Sequence, residues 1–154
     1  MKIKLLIIVT YLVLAQNSFA REFQLGVVLG SPTGISMKSE IDNKHSVDAA
    51  LAYSLVEDRG LEFHADYLVE KAHEFSTNTG IPFDVFYGIG GRIASIRKGK
   101  HVNDLAIGPR APIGLAYKMN DPRIEFFGEL ALVLDVIPET NLDLEGGIGL
   151  RYRF

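Results

Sequence analysis

The feature that most constrains this chain is a period-two alternation that fills its last thirteen residues and recurs in seven earlier segments. From Leu142 to Phe154, one set of alternate positions is Leu142, Leu144, Gly146, Ile148, Leu150, Tyr152 and Phe154. The other set is Asp143, Glu145, Gly147, Gly149, Arg151 and Arg153. A strand sends successive side chains to opposite sides of its sheet, so this segment has one apolar face and one charged face. The charged face carries both signs, with glycines between them. An outer-membrane barrel strand has this pattern, with lipid on one side and a polar interior on the other.

The same beat predicts seven further strands: Phe23–Gly30, Ile35–Ile41, Ser46–Val56, Leu61–Val69, Phe83–Ile93, Leu105–Tyr117 and Ile124–Leu134. The cleanest is the fourth, with Leu61, Phe63, Ala65, Tyr67 and Val69 on one face and Glu62, His64 and Asp66 on the other. Ser31-Pro32-Thr33-Gly34, Asp42-Asn43-Lys44, Glu57-Asp58-Arg59-Gly60 and Asn120-Asp121-Pro122 read as turns. Glu70 to Pro82 reads as a long polar connection, and Arg97 to Asp104 as a charged loop. Pro109 and Pro112 fall inside the sixth strand, where neither can donate a ladder hydrogen bond. They predict a bulge or a shorter strand there.

The N-terminus is expected to be a signal peptide, residues 1–20. Lys2 and Lys4 precede the apolar run Leu5–Leu14, and Ser18 and Ala20 fit a signal-peptidase site. The apolar run is too short to span a bilayer core of roughly 30 Å as a helix. Cleavage before Arg21 leaves residues 21–154 as a single barrel domain. The whole chain has 154 residues and a net charge of −3, which the loss of Lys2 and Lys4 takes to −5. With no basic block, no nucleic-acid partner is expected. With no cysteine, disulfides and thiolate metal sites are excluded.

Alternation alone fits two architectures. A soluble, lipocalin-like carrier turns its apolar faces inward; a membrane barrel turns them out. Three features favour the second. The polar face mixes Gly and Ala with charges of both signs, including Lys38, Glu40, Asp48, Glu62, Asp66, Asp84, Arg92, Arg110, Glu125, Glu129, Glu145, Arg151 and Arg153. Small residues beside long ion-paired ones would fill the narrow interior of eight strands. Threaded up and down, Phe23, Tyr67, Phe83, Tyr117, Phe126, Tyr152 and Phe154 come to one rim, and Tyr53 and Phe63 to the other, as aromatic girdles require. The chain is also expected to carry an export signal. The expected fold is therefore all-β, an eight-stranded antiparallel up-and-down transmembrane β-barrel.

The second half of the chain resembles a family of small, uncharacterised eight-stranded outer-membrane barrels of spirochaetes, myxobacteria and their relatives. The residues that carry the resemblance are Tyr87-Gly88-Ile89-Gly90-Gly91-Arg92, Arg110-Ala111-Pro112-Ile113-Gly114-Leu115, Phe126-Phe127-Gly128-Glu129-Leu130-Ala131, Pro138-Glu139-Thr140 and Gly146 to Phe154. The resemblance implies an outer-membrane location and an OmpA-like transmembrane barrel. It implies no reaction.

Glu62, His64 and Asp66 all point to the polar side, about 6.6 Å apart along the strand. Such a trio could hold a metal or serve as an acid–base group. The expected role is an interior salt-bridge network with Arg92, Arg110, Arg151 and Arg153, because buried charges must be paired. His45, His73 and His101 are expected in turns, without ligand spacing. Gly30-Ser31-Pro32-Thr33-Gly34 lacks the Gly-Lys-Ser/Thr ending of a phosphate loop and reads as a hairpin. A lipid A acyltransferase or deacylase would need a nucleophile beside a base. Ser31, Ser36, Ser39, Ser54, Ser76 and Ser95 instead read as turn or wall residues. No catalytic, cofactor-binding or metal-binding residue is expected. The partners expected are outer-membrane lipids and lipopolysaccharide, whose phosphates the basic loop Arg97-Lys98-Gly99-Lys100-His101 could meet. The sequence thus predicts a monomeric outer-membrane barrel with a structural or surface-binding role and a filled, ion-paired lumen, too narrow for a wide pore. A soluble periplasmic carrier of an apolar ligand and a lipid A-modifying enzyme are the alternatives.

Overall fold

A computed structural model of the chain describes residues 22–53, 59–76, 80–97 and 104–154. The expected signal peptide lies outside the described residues, as do Ser54 and Lys98 to His101 of the basic loop.

Eight strands form one closed antiparallel barrel in chain order: β1 (Glu22–Ser31), β2 (Thr33–Glu40), β3 (His45–Tyr53), β4 (Arg59–Ser76), β5 (Pro82–Ile96), β6 (Leu105–Asn120), β7 (Arg123–Asp135) and β8 (Asn141–Arg153). β1 pairs with β8 to close the cylinder. Every strand therefore has two hydrogen-bonded neighbours and no edge is left unpaired.

The ladder registers fix the cylinder's dimensions. From Arg153, successive partners are Gln24, Lys38, Asp48, Asp66, Gly90, Arg110 and Val133. The path re-enters β8 at Asp143, ten residues from where it began. Eight strands with that stagger tilt by about 41° to the axis and enclose a backbone radius of roughly 8 Å, given the usual rise and strand spacing. Only side chains fit inside.

The two faces of the alternation separate cleanly. Leu29, Ile35, Ile89, Ile113, Leu130, Leu144 and Ile148 point outward and are exposed, whereas Lys38, Asp48, Glu62, Asp66, Arg92, Arg110, Glu125 and Arg151 point inward and are buried. One small apolar cluster shares the interior: Val28, Ala50, Leu68, Phe86, Ala116 and Phe127. Glycines make room for its rings. A Cβ on Gly149 would stand 2.4 Å from Phe127, and one on Gly114 would stand 2.3 Å from Phe86.

Two expectations about strand ends are corrected. The connection drawn from Glu70 to Pro82 is mostly strand: β4 continues to Ser76 and β5 begins at Pro82. Polar composition hid it, because Lys71 to Glu74 project beyond the lumen into an exposed extension. The register shifts between Lys71 and Phe75, where His73 has a φ of 57° and donates its backbone N–H to Asp84 at 2.9 Å. His73 thus belongs to a bulge within a strand, and His45 is the first residue of β3.

β6 also runs unbroken through both prolines. Ile107 N–H points to β7, donating to the Ile137 carbonyl at 3.0 Å. By alternation, the missing donor of Pro109 also faces β7, and that of Pro112 faces β5. Each neighbour shows the gap. Val136 and Ile137 both donate to the Ile107 carbonyl, at 2.9 and 3.3 Å, in a two-against-one bulge. On the other side the β5 ladder skips Gly88 and Ile89 and resumes in unchanged register.

The Gly30 to Gly34 segment is a hairpin. Thr33 Oγ1 accepts from Gly30 N at 3.0 Å and donates to the Gly30 carbonyl at 2.9 Å.

Candidate functional site

The lumen is the one enclosed chemical environment among the described residues, and it is ionic. Its charges fall into two storeys. The storey nearer Glu22 and Phe154 is built on Lys38. Its Nζ reaches Glu70 at 2.8 Å and Glu125 at 2.9 Å. Glu70 also accepts from Ser46 Oγ at 2.5 Å and from Lys118 Nζ at 3.1 Å, and Lys118 reaches Glu40 at 2.8 Å. Arg151 bridges to the middle of the barrel. It donates to Glu125 at 3.1 Å, to Asp48 at 3.0 Å and to Ser36 Oγ at 2.8 Å.

The other storey is built on two arginines. Arg110 donates to Asp66, to Glu129 at 2.5 Å and to Glu145 at 3.2 Å. Arg92 donates to the second oxygen of Glu145, to Asp135 at 2.7 Å and to Asp143 at 2.9 Å. Burying so many charges is tolerable only because each arginine's planar fork serves several carboxylates at once.

Glu62, His64 and Asp66 all enter the lumen, as alternation predicts, but their expected partners are redistributed. Asp66 pairs with Arg110, and Glu62 lies 3.9 Å from Arg92. Arg151 turns instead to Asp48 and Glu125, and Arg153 pairs at the rim with Glu22 at 2.5 Å. Among the described residues His64 has no arginine partner; its Nδ1 stands 3.5 Å from Glu62 Oε1. Sequence reasoning missed Glu70 and Asp135 as lumen residues. Glu70 continues the inward series Glu62, His64, Asp66, Leu68, which was a usable signal.

Among the described residues, the buried charges do not balance. Four cations, Lys38, Arg92, Arg110 and Arg151, face seven carboxylates: Asp48, Glu62, Asp66, Glu70, Glu125, Asp135 and Glu145. Glu62, His64 and Glu145 each offer a ligand atom, and these atoms lie within 4.8 Å of one another. A cavity of about 10 Å³ beside His64, Arg110 and Phe127 gives space for about one water at most.

Outside the barrel, several aromatic side chains gather at its ends, but Tyr67, expected at a rim, is exposed in the middle of β4, and Tyr87 is exposed within β5. At the rim holding the termini, Phe23 packs on Phe154 at 6.1 Å between centroids, Phe154 on Tyr152 at 5.0 Å, and Phe83 on Tyr117 at 5.9 Å. At the far rim Arg97 lies 5.3 Å over the Tyr53 ring.

No protein-family model, curated protein or solved structure matches the chain.

Proposed function

We propose that the protein is a small outer-membrane β-barrel, its eight strands crossing the bilayer, with a structural or surface-binding role rather than a wide-pore one. The observation that carries this reading is the inverted distribution of polarity. Soluble monomers rarely expose contiguous apolar patches above a few hundred Å². Here apolar side chains line the exterior of all eight strands while buried ion pairs fill the axis. A soluble carrier of the lipocalin kind would need the reverse.

Dimensions support the reading. The outward series of β8 runs from Leu142 to Tyr152. Ten residues at the usual rise, tilted by about 41°, project to about 25 Å, the height of the apolar band of an outer-membrane barrel. The aromatic pairs at the rim of Phe23 and Phe154 suit headgroup depth, although Tyr67 and Tyr87 lie farther in. The resemblance of the second half to outer-membrane barrels points the same way, as does the expected signal peptide. Lipids, including lipopolysaccharide, are the partners such a surface would meet, and a monomer suffices because the ladder is closed.

The test is folding and fractionation. Expressed with its leader, the protein should pellet with outer membranes, resist carbonate extraction and migrate faster on SDS gels before boiling than after. Recovery in the soluble periplasmic fraction, with no heat-dependent mobility, would defeat the reading.

A further inference from the structure

We propose that Glu62, His64 and Glu145 form a binding site for one divalent transition cation of the zinc class, inside the barrel and independent of what surrounds it. Three observations converge on these residues. Their donor atoms lie within 4.8 Å of one another, and all three residues are buried. Among the described residues, Glu62 Oε1 and His64 Nδ1 have no hydrogen-bond partner and only face each other at 3.5 Å, although their residues are only 2% and 4% exposed. A buried polar atom left so is costly and calls for an occupant. Among the described residues the lumen also holds three more buried carboxylates than buried cations, and a divalent cation offsets two of those charges.

The chemistry of the donors selects the cation. One imidazole nitrogen with carboxylate oxygens suits zinc and its neighbours, at about 2.0–2.2 Å from each donor. Donors around one tetrahedral ion at those lengths stand about 3.4 Å apart, so side-chain atoms now within 4.8 Å of one another need to close by up to about 1.4 Å on binding. The arginines do not block the site. Arg92 approaches Glu62 from its Oε2 side, at 3.9 Å, leaving Oε1 toward His64. Glu145 gives one oxygen to Arg92 and the other to Arg110, and each oxygen keeps a second lone pair. The two guanidinium groups thereby orient Glu145 in the way outer-shell donors orient metal ligands.

The experiment uses the full barrel, refolded with ZnCl₂ or with a chelator, stripped of loose metal and analysed for bound zinc. Wild type should retain one zinc per chain. Glu62→Gln and His64→Ala should each weaken zinc binding at least tenfold. His45→Ala, which removes the rim histidine beside Asp42, should leave it unchanged. No retained zinc in wild type, or binding that survives His64→Ala but falls in His45→Ala, would overturn the site. Should the lumen variants fail to fold, cobalt in the wild-type barrel decides the matter. Bound cobalt should broaden the His64 ring resonances, and an unperturbed His64 ring beside bound cobalt would be equally fatal.

Discussion

The guanidinium carbon of Arg151 sits 3.9 Å from the centre of the Phe127 ring. The contact exists because both side chains point into the same narrow axis and Gly149 clears space for the ring. Cation and ring attract through the ring quadrupole, and more strongly where water is excluded. The same guanidinium also holds Asp48 and Glu125. Arg151→Met should therefore cost about 3–5 kcal/mol, because it leaves buried carboxylates without their counter-charge. Adding Asp48→Asn should recover part of that loss. Urea unfolding in lipid vesicles, followed by tryptophan-free tyrosine fluorescence or gel mobility, measures both.

Leu130 lies near the middle of β7, points outward and is 56% exposed. If acyl chains surround it, Leu130→Arg should destabilise the folded barrel by roughly 2–4 kcal/mol, the cost of arginine at the bilayer midplane. The same substitution at Leu142, near the far rim, should cost at most about 1 kcal/mol. Equal costs at the two depths would argue against a bilayer.

Two glycines in adjacent strands should answer oppositely to alanine. A Cβ at Gly149 would fall 2.4 Å from Phe127 and 2.5 Å from the Val27 carbonyl, so Gly149→Ala should cost about 1–3 kcal/mol through overpacking. At Gly128 the nearest atom to an added Cβ is 3.7 Å away. Gly128→Ala should be neutral or stabilise by up to about 1 kcal/mol, through the reduced freedom of the unfolded chain.

Asp42 organises the β2–β3 turn. Its Oδ1 accepts from the backbone N–H groups of Lys44 at 2.7 Å and His45 at 2.9 Å, and the carboxylate meets His45 Nδ1 at 2.8 Å. The Lys44 backbone hydrogen bond, then that of the His45 side chain, hold its pKa below the usual 3.8. A depressed carboxylate pKa adds stability above the unfolded-state value and loses it as pH falls through the folded-state value. Protection of the Lys44 and His45 amides, measured relative to their intrinsic exchange rate at each pH, should thus hold at neutral pH and fall only below the ordinary carboxylate range. In Asp42→Ala that protection should be lost at every pH.

The lumen should not conduct as a porin does. Its ion pairs leave a cavity of about 10 Å³ beside His64. Planar-bilayer recordings of the wild-type barrel should show no steady open-channel steps, as expected of eight strands whose side chains fill the interior.

The face of each strand residue was legible in the sequence because inside and outside alternate with the pleat, and Glu62, His64 and Asp66 needed no further information. Partner choice was not legible. That Arg110 takes Asp66 while Arg151 takes Asp48 follows from a ten-residue stagger, which emerges only when eight ladders are traced around the closed cylinder. The length of β4 was hidden for a different reason. Lys71, His73 and Glu74 lie above the part of the barrel where polarity reports direction, so a strand there has the composition of a loop. Pro109 and Pro112 signalled a bulge or a shorter strand: each removes one donor toward one neighbour, and the sheet absorbs both losses, with a bulge opposite Ile107, without ending the strand.

The pairs that fill the axis join residues far apart in the chain. Lys38 and Glu125 are 87 positions apart, and Arg151 and Asp48 are 103. A half-curled sheet of the first four strands would offer Lys38 only Glu70 and leave Asp48 without Arg151, so it gains little by shedding water early. Hydration should accordingly persist along the groove until the seam between the first and last strands zips shut, making that final suture, and not any hairpin, the step at which the molecule becomes committed to its shape.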